Sequence, residues 1–226
     1  MSSTKTNARV RRRTKDERSA LEQQAVTATL KLFADGGHEA VSMRRLAAEV
    51  GVAPMTLYRY FPSKTHLMRH IWQDVLDRAC ARATGDAARA RTPRSKLSAF
   101  VGGYVHYWLD AREHYHVVFG ANGRQADAEH EGPRPDLARV QSALTAHVAA
   151  CIEAERSNAH ARWLAEEAHW LMLGFLAAVI CVDVATPGDA LAAKNRLIGA
   201  ITLRVTSACA AASPDPSRAR LRRTGA

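Results

Sequence analysis

Apolar residues recur at helical spacing along most of this chain, and β-branched runs and Gly/Pro turn clusters are sparse. In the first such segment Val26, Leu30 and Phe33 fall on one helical face. Gly36-Gly37 follows, and glycine readily adopts the left-handed conformation that ends helices. The pattern therefore predicts a first helix over about residues 16–35.

Two short helices and several longer ones are predicted after it. Ser42 can cap a helix over residues 43–50, and Pro54 suits the first position of the next helix, where its missing N–H costs nothing. Pro62 ends that helix, and Ser63 can cap a fourth. The remaining predicted helices run from Lys64 to about Arg82, Arg94 to about Phe119, Asp136 to Glu155, Ala159 to Val184 and Ala190 to Ala212. We therefore predict an all-α protein, with a mobile loop over Gly120 to Pro135.

The formal net charge of +10 is concentrated at the two ends of the chain. Residues 1–72 hold 13 Lys/Arg against 6 Asp/Glu, and residues 213–226 hold 4 against 1, whereas the segment between them is balanced at 15 against 15. A basic segment joined to a neutral body favours one part that meets a polyanion and another with a different task. A charge excess that only increases solubility is the alternative.

The spacing of Ala47, Gly51 and Leu57 is typical of a helix-turn-helix. Two short helices that cross closely need a small residue, a turn residue that tolerates positive φ, and an apolar anchor. An ordinary helical hairpin shares this packing but leaves the outer face unexplained. That face combines basic, hydrogen-bonding and apolar side chains: Arg44, Pro54, Met55, Thr56, Tyr58, Arg59, Tyr60 and Lys64. Such a face can meet phosphates and base edges, so we predict a DNA-binding helix-turn-helix over Ser42 to Tyr60.

The stretch from Leu30 to Met68, LKLFADGGHEAVSMRRLAAEVGVAPMTLYRYFPSKTHLM, resembles the DNA-binding domain of the TetR family of bacterial repressors. The resemblance rests on LFADGG, SMRRLAAEVGV, TLYRYF and PSK. The segment EHYHVVFGANG, with Trp170 and Gly174, is similar to the ligand domain of one subgroup. The resemblance implies a homodimeric, ligand-responsive repressor with a three-helix DNA-binding domain and a helical-bundle ligand-binding and dimerisation domain.

The resemblance also implies which residues contact DNA. Arg44 is the candidate for a guanine edge, and Lys64, at the start of the fourth helix, is the candidate for a phosphate. The complete set of expected DNA contacts is Ser42, Met43, Arg44, Pro54, Met55, Thr56, Tyr58, Tyr60 and Lys64. Ala53 departs from the family pattern, because it replaces the usual capping Ser or Thr of the third helix.

We expect four segments along the chain. They are a disordered basic arm at residues 1–15, the helix-turn-helix domain at 16–62, the ligand-binding and dimerisation domain at 63–212, and a disordered basic tail at 213–226. The arm either follows a flanking minor groove or is only a solvated tail. The last two helices are expected to form a twofold dimer, which requires an inverted-repeat operator; the alternative is that they pack only within the monomer.

Aromatic side chains with polar atoms cluster in the predicted second domain, as is common in cavities for small molecules. The candidates for a pocket that binds a small apolar or aromatic effector are Tyr104, Trp108, Phe119, Trp163, His169 and Trp170. Plain core packing is the alternative for each of them. Whether the effector releases or promotes DNA binding, and whether the protein can also activate, stays open.

Other classes of protein are less well supported. Glu166 and His169 form a single ExxH pair, whereas a di-iron bundle needs two. His114 and His116 lack an evident third metal ligand, and no GxSxG, P-loop or Rossmann motif is present. We therefore expect no enzyme, metal or cofactor. An architectural DNA binder without ligand control, and a cysteine-based oxidation sensor, stay as alternatives.

The four cysteines are far apart in sequence, which favours a reduced compartment. The N-terminus lacks the apolar segment of a signal peptide, and the longest apolar run, Leu171 to Val182, is too short to span a bilayer. We therefore expect a cytoplasmic protein without membrane contact.

Overall fold

The computed structural model describes residues 3–120, 135–152, 158–182 and 186–210, which form helices and no strand. The helices are α1 Ser3–Ala40, α2 Met43–Val50, α3 Pro54–Tyr60, α4 Lys64–Ala88, α5 Pro93–Asp110, α6 Arg112–Phe119, α7 Pro135–Cys151, α8 Asn158–Cys181 and α9 Pro187–Ala210. The all-α prediction is confirmed. The predicted mobile loop, beyond Gly120, and the predicted basic tail lie outside the described residues.

The first helix begins earlier than the sequence pattern indicates. The structure places residues 3–15 in α1, whereas we expected a disordered arm there. These residues include no Gly or Pro, so nothing in them opposes continuation of the helix towards the N-terminus. The predicted break is confirmed, because Gly36 (φ −160°, ψ 24°) and Gly37 (φ 64°, ψ −158°) are not helical. Helical geometry resumes briefly before Ala40.

The two helices of the predicted helix-turn-helix have the expected bounds. The backbone N–H of Arg45 donates to Oγ of Ser42 at 3.2 Å, which satisfies one of the free N–H groups at the start of α2. Gly51 ends α2 in the left-handed conformation, with φ 76°. Ala53 gives α3 no side-chain cap, as its methyl group implies.

The second half of the chain differs in detail from the predicted helices. α4 continues to Ala88 rather than ending near Arg82, because Gly85 keeps helical geometry instead of ending the helix. The single helix predicted up to Phe119 is divided into α5 and α6 by Ala111, whose φ of −125° and ψ of 67° are not helical.

The chain divides into two compact units. The first comprises Met1–Val75 and Ala111–Pro133, and so extends beyond the predicted boundary at residue 62. Its core includes Leu46, Leu57 and Phe61. Indole Nε1 of Trp72, on α4, donates to the carbonyl oxygen of Val117 at 2.8 Å, so α6 packs with the helix-turn-helix unit. Sequence spacing does not reveal that long-range bond.

The second unit comprises Leu76–Asp110 and Arg134–Ala226. Its core contains fully buried Tyr104 and Trp108, whose ring centroids lie 5.9 Å apart in an edge-on arrangement. α4 and α5 cross closely at Gly103, where a Cβ atom would lie 2.7 Å from Oδ2 of Asp86. Ser98 Oγ and Thr202 Oγ1 are hydrogen-bonded at 2.9 Å and join α5 to α9.

Among the described residues, α8 is the one helix whose length and composition would allow it to cross a membrane, with a mean hydropathy of 1.5. Part of that apolar stretch is buried in the second unit, as in core helices of many proteins. The helix is therefore weak evidence for a membrane segment.

Candidate nucleic-acid interface

The interface is built on two helices of the first unit that have one buried and one exposed face. Leu46, Ala47 and Leu57 are essentially inaccessible to solvent and hold α2 and α3 together. The opposite face exposes Arg44, Arg45, Pro54, Met55, Tyr58 and Arg59. Met55 is 74% exposed, which is unusual for an apolar side chain inside a packed unit. A rigid scaffold thus presents arginines, an apolar tip and a phenol on one surface.

The charge of this surface is positive. Glu49 is the one acidic residue in segment 43–60, and its carboxylate pairs with the Lys31 ammonium of α1. Exposed pairs of this kind add little stability, but this pair draws the acidic side chain of α2 towards α1. The exposed Arg44, Arg45 and Arg59 therefore dominate the field of the outer face, which favours an anionic partner.

Met43 differs from the other residues expected to contact DNA. This side chain is only 6% exposed and packs in the core of the first unit, which argues against a contact with a base edge. Met43 is the first residue of α2 and is buried together with Leu46 and Ala47 of the same helix. Ser42 stays accessible in part, although its hydroxyl already accepts the Arg45 N–H.

Lys64 is engaged within the protein. Its Nζ donates to the carbonyl oxygen of His38 at 2.9 Å and so caps the last turn of α1. Burial lowers the pKa of the Lys64 ammonium, with Glu39 acting in the opposite direction. Burial and the Lys64 charge lower the pKa of His38. Because an ammonium has three N–H groups, Lys64 keeps donors for a phosphate.

Arg18 is a basic residue near the interface that the sequence patterns did not single out. Its guanidinium lies over the ring of Tyr60, 5.8 Å from the ring centroid, and its Nε pairs with Glu22 at 2.9 Å. Tyr60 and Thr56 are partly exposed. Nothing in the residue spacing places α1 beside the end of α3, because that contact depends on how the helices pack.

The six residues predicted for an effector pocket are found in three places. Tyr104, Trp108 and His169 are buried in the second unit, with the rings of Tyr104 and His169 6.1 Å apart. Trp163 and Trp170 are exposed on α8. Phe119 belongs to the first unit, where it packs against Tyr115 at 5.0 Å. The clustering of aromatic residues along the sequence thus does not define one pocket. Phe119 is separated from the others because the chain breaks at Ala111 and α6 belongs to the first unit.

A groove of about 810 Å³ runs along α7 and α8. It is lined by Gln141, Thr145, Glu166, His169, Trp170 and Leu173, among others. Nδ1 of His169 lies 3.0 Å from Oε1 of Gln141. The ExxH residues Glu166 and His169 therefore share the groove, but within the described parts of the chain no three His, Cys, Asp or Glu side chains form a metal-binding group.

The outer faces of α8 and α9 expose large apolar side chains. Trp170 is 67% and Leu203 is 62% exposed, and Leu171 and Leu191 are also exposed. Gly174 and Gly199 have open space where a Cβ atom would be, so a partner helix could approach closely there. The Arg204 guanidinium lies 5.1 Å from the ring centroid of Trp163, and its Nε pairs with Glu167 at 3.1 Å.

Comparisons with known proteins agree with this geometry. Residues 25–71 match the family model of bacterial regulatory proteins, tetR family. The chain is 40% identical over 80 residues to the HTH-type transcriptional repressor KstR of Mycolicibacterium smegmatis, over 35% of this chain and 39% of KstR. It is 41% identical over 78 residues to the nucleoid occlusion factor SlmA of Haemophilus influenzae, over 32% of this chain and 34% of SlmA. The matches thus span between about a third and two fifths of these relatives.

Solved structures share the fold over a longer part of the chain. A TetR-family transcriptional regulator from Syntrophomonas wolfei superposes with a TM-score of 0.63 at 13% identity, covering 85% of this chain and 96% of that protein. The transcriptional regulator FadR of Bacillus subtilis, solved in complex with stearoyl-CoA, gives a TM-score of 0.62 at 16% identity, covering 80% and 97%. At these identities the likeness concerns the fold alone.

Proposed function

Since residues 25–71 match the family model of bacterial regulatory proteins, tetR family, we propose that the chain is a member of that family and a sequence-specific DNA-binding transcriptional regulator. The observation that carries this proposal is the exposed face of α2 and α3, with Arg44, Met55 and Tyr58 on a buried scaffold. A regulator of this kind binds DNA and performs no catalysis. As a DNA-binding protein it acts in the cytoplasm.

Each exposed residue of that face has a role that suits its chemistry. Arg44 contacts a guanine edge, and Met55 and Pro54 contact thymine methyl groups or read groove shape. The phosphate contacts come from Ser42, Thr56, Tyr58, Tyr60 and the remaining N–H groups of Lys64. The exposed Arg45 and Arg59 add to the attraction for the backbone. Met43 is left out of the set because its side chain is buried.

The regulator acts as a homodimer through α8 and α9. Support comes from the exposed Trp170, Leu171 and Leu203, whose contact with a second copy would remove apolar surface from water. Open space at Gly174 and Gly199 allows close approach of helices from the partner. A twofold axis then places two α3 helices on an inverted-repeat operator.

A small apolar or aromatic effector regulates this dimer, and the simplest mode is repression relieved by the effector. The effector binds the second unit and favours a conformation with a different spacing of the recognition helices. α4 can carry the change, because it contributes residues to both units. The name of the relative KstR, a transcriptional repressor, supports repression as the direction.

A second candidate function is DNA binding without control of transcription. SlmA, named as a nucleoid occlusion factor, matches 78 residues of the chain, and KstR matches 80. These two matches therefore do not decide between the two functions. The exposed apolar face and the groove of the second unit favour the ligand-controlled regulator.

Selection of bound sequences from a random duplex library, with the full-length purified protein, tests the proposal. We expect enrichment of an inverted repeat. Arg44→Ala should weaken binding by about 1–3 kcal/mol and relax the preference at one base pair in each half-site. Arg91→Ala, a change at another exposed arginine, is the matched control and should leave both unchanged.

Salt-sensitive binding with no enriched sequence would contradict the proposal of a sequence-specific transcriptional regulator. It would mean that α2 and α3 hold only the backbone, as an architectural protein does. An enriched sequence without twofold symmetry would instead contradict the homodimer, but it would still support sequence-specific DNA binding.

A further inference from the structure

One arginine outside α2 and α3 lies against the end of α3. The Cζ atom of Arg18, on α1, lies over the ring of Tyr60, 5.8 Å from the ring centroid. Tyr60 is the last residue of α3 and is partly exposed, and both residues belong to the first unit. The packing of α1 thus places a cation beside a phenol that the proposed function assigns to a DNA phosphate.

The guanidinium of Arg18 is held through one of its nitrogen atoms and keeps donors for a partner. Its Nε donates to Oε1 of Glu22, four residues further along α1, at 2.9 Å. A guanidinium has five N–H groups, and within the described part of the chain this hydrogen bond uses only the one on Nε. The Arg18 side chain is 61% exposed. The N–H groups on Nη1 and Nη2 are therefore available to a group outside the protein.

A DNA phosphate suits these donors better than the carboxylate of Glu22 does. An exposed ion pair between neighbouring turns of a helix is weak, so Glu22 orients the guanidinium without binding it strongly. The two Nη atoms form the end of a planar fork, which can bind two phosphate oxygens at once. The phenol O–H of Tyr60, beside the guanidinium, can donate to the same phosphate group.

From this arrangement we propose that Arg18 and Tyr60 bind one DNA phosphate together, with the Nη groups and the phenol O–H as donors. The contact extends the DNA-binding surface from α2, α3 and the start of α4 to α1. Because every base pair carries the same phosphates, the contact adds affinity and fixes the orientation of α3 on the duplex, but it reads no base. This inference rests on the proposed DNA-binding regulator and adds a residue to its interface.

The salt dependence of binding tests the contact of Arg18. Arg18→Gln removes the charge and keeps a good helix former. We expect it to weaken binding to the selected inverted repeat by roughly 10-fold for each protomer, as loss of a hydrogen bond to a charged group implies. The slope of the logarithm of the affinity against the logarithm of the salt concentration should become shallower by about 0.9 for each protomer. The enriched sequence should stay the same, in contrast to Arg44→Ala. Fluorescence anisotropy titrations at several salt concentrations measure the affinity and its slope.

Two further variants separate a local contact from a change in net charge. Arg18→Lys keeps the cation and should keep most of the salt slope. Arg91→Gln removes the same charge at an exposed arginine of the second unit and should leave both the affinity and the slope unchanged. Thermal unfolding should be nearly the same for all three variants, because Arg18 and Arg91 are exposed.

Neutral phosphates test whether Arg18 and Tyr60 share one phosphate. In a set of inverted-repeat duplexes, a single phosphate in each half-site is replaced by an uncharged methylphosphonate. Replacement of a contacted phosphate weakens binding by the original protein, because a charged acceptor is lost. At one such position the weakening should be smaller in Arg18→Gln and also in Tyr60→Phe, since each variant already lacks a donor to that phosphate.

The proposal is overturned if a folded Arg18→Gln keeps the original affinity and salt slope, or if Arg91→Gln changes the slope equally. Reduced sensitivity at different phosphates in Arg18→Gln and Tyr60→Phe would also reject the shared contact. Failure of the proposed regulator gives a different result, because the original protein would then enrich no sequence. An enriched inverted repeat with an unchanged Arg18→Gln therefore rejects this inference alone.

Discussion

Single residues determine the backbone conformation at turns and the hydrogen bonding of buried groups in the core. Gly51 has φ 76° and open space where a Cβ atom would lie, so its requirement for glycine comes from the backbone and not from crowding. Gly85 also has open space but keeps a helical φ. A Cβ atom therefore meets no steric clash at either position, and the two positions differ in their backbone conformation.

We predict opposite effects of alanine at these two glycines. Gly51→Ala should lower the free energy of unfolding by about 1–2 kcal/mol, because an L-residue is strained in the left-handed region. Gly85→Ala, in the interior of α4, should raise it by about 0.5–1 kcal/mol. Chemical denaturation followed by circular dichroism measures both, and equal effects of the same sign would contradict the explanation.

A buried hydroxyl gives a second prediction at this scale. Thr29 is fully buried, and its Oγ1 has no hydrogen-bond partner among the described residues. Thr29→Val removes that hydroxyl at nearly constant shape, so it should raise the free energy of unfolding by about 1 kcal/mol. Thr27→Val is the control, because the exposed Thr27 hydroxyl donates to Gln23 in the same helix. Destabilisation by Thr29→Val would show that the hydroxyl has a partner.

At the scale of elements, the short helices depend on what happens at their ends. α3 has only seven residues and no side-chain cap, whereas the N–H of His66 in α4 donates to Oγ of Ser63 at 3.1 Å. Short helices gain little from their own hydrogen bonds. α3 therefore depends on Pro54 at its start, on the extended backbone of the preceding Ala53 and on the buried side chain of Leu57.

Removing the cap of α4 should lower the free energy of unfolding, and adding a cap to α3 should raise it. Ser63→Ala should lower the free energy of unfolding by about 1 kcal/mol through loss of the cap of α4. Ala53→Ser, at an extended residue with φ −65° and ψ 142°, should raise it by up to about 1 kcal/mol. Thermal unfolding of both variants measures this, and a neutral Ser63→Ala would show that the observed bond contributes nothing.

At the scale of the whole molecule, the exposed apolar face of α8 and α9 requires a partner under the proposed function. Leu203 is 62% exposed in the single chain, and burying such a side chain at an interface would stabilise the assembly. A charge placed there would have to be buried without a partner, which is costly.

Leu203→Glu should therefore give monomers in sedimentation equilibrium, with helix content unchanged. The same variant should bind a full inverted repeat no better than a single half-site, because the two recognition helices are no longer linked. Ala150→Glu, at an exposed residue of α7, is the matched control and should stay dimeric. A dimeric Leu203→Glu would exclude this face as the interface.

The sequence by itself determined the local structure of the helix-turn-helix. Ser42, Gly51, Pro54 and Pro62 act on their immediate neighbours through capping, positive φ and the missing N–H of proline, so their spacing predicts where α2 and α3 begin and end. The exposed basic character of Arg44 and Arg59 also follows, because one face of each helix must be buried.

The tertiary structure decided the contacts between residues that are far apart in the sequence. Met43 is buried, Lys64 binds the His38 carbonyl and α6 packs with Trp72, and none of these contacts has a signature in local spacing. The aromatic residues predicted for one pocket were separated for the same reason. Local rules fix helix ends because the interacting groups are close in sequence, whereas side-chain surroundings depend on the packing of helices that the sequence separates widely.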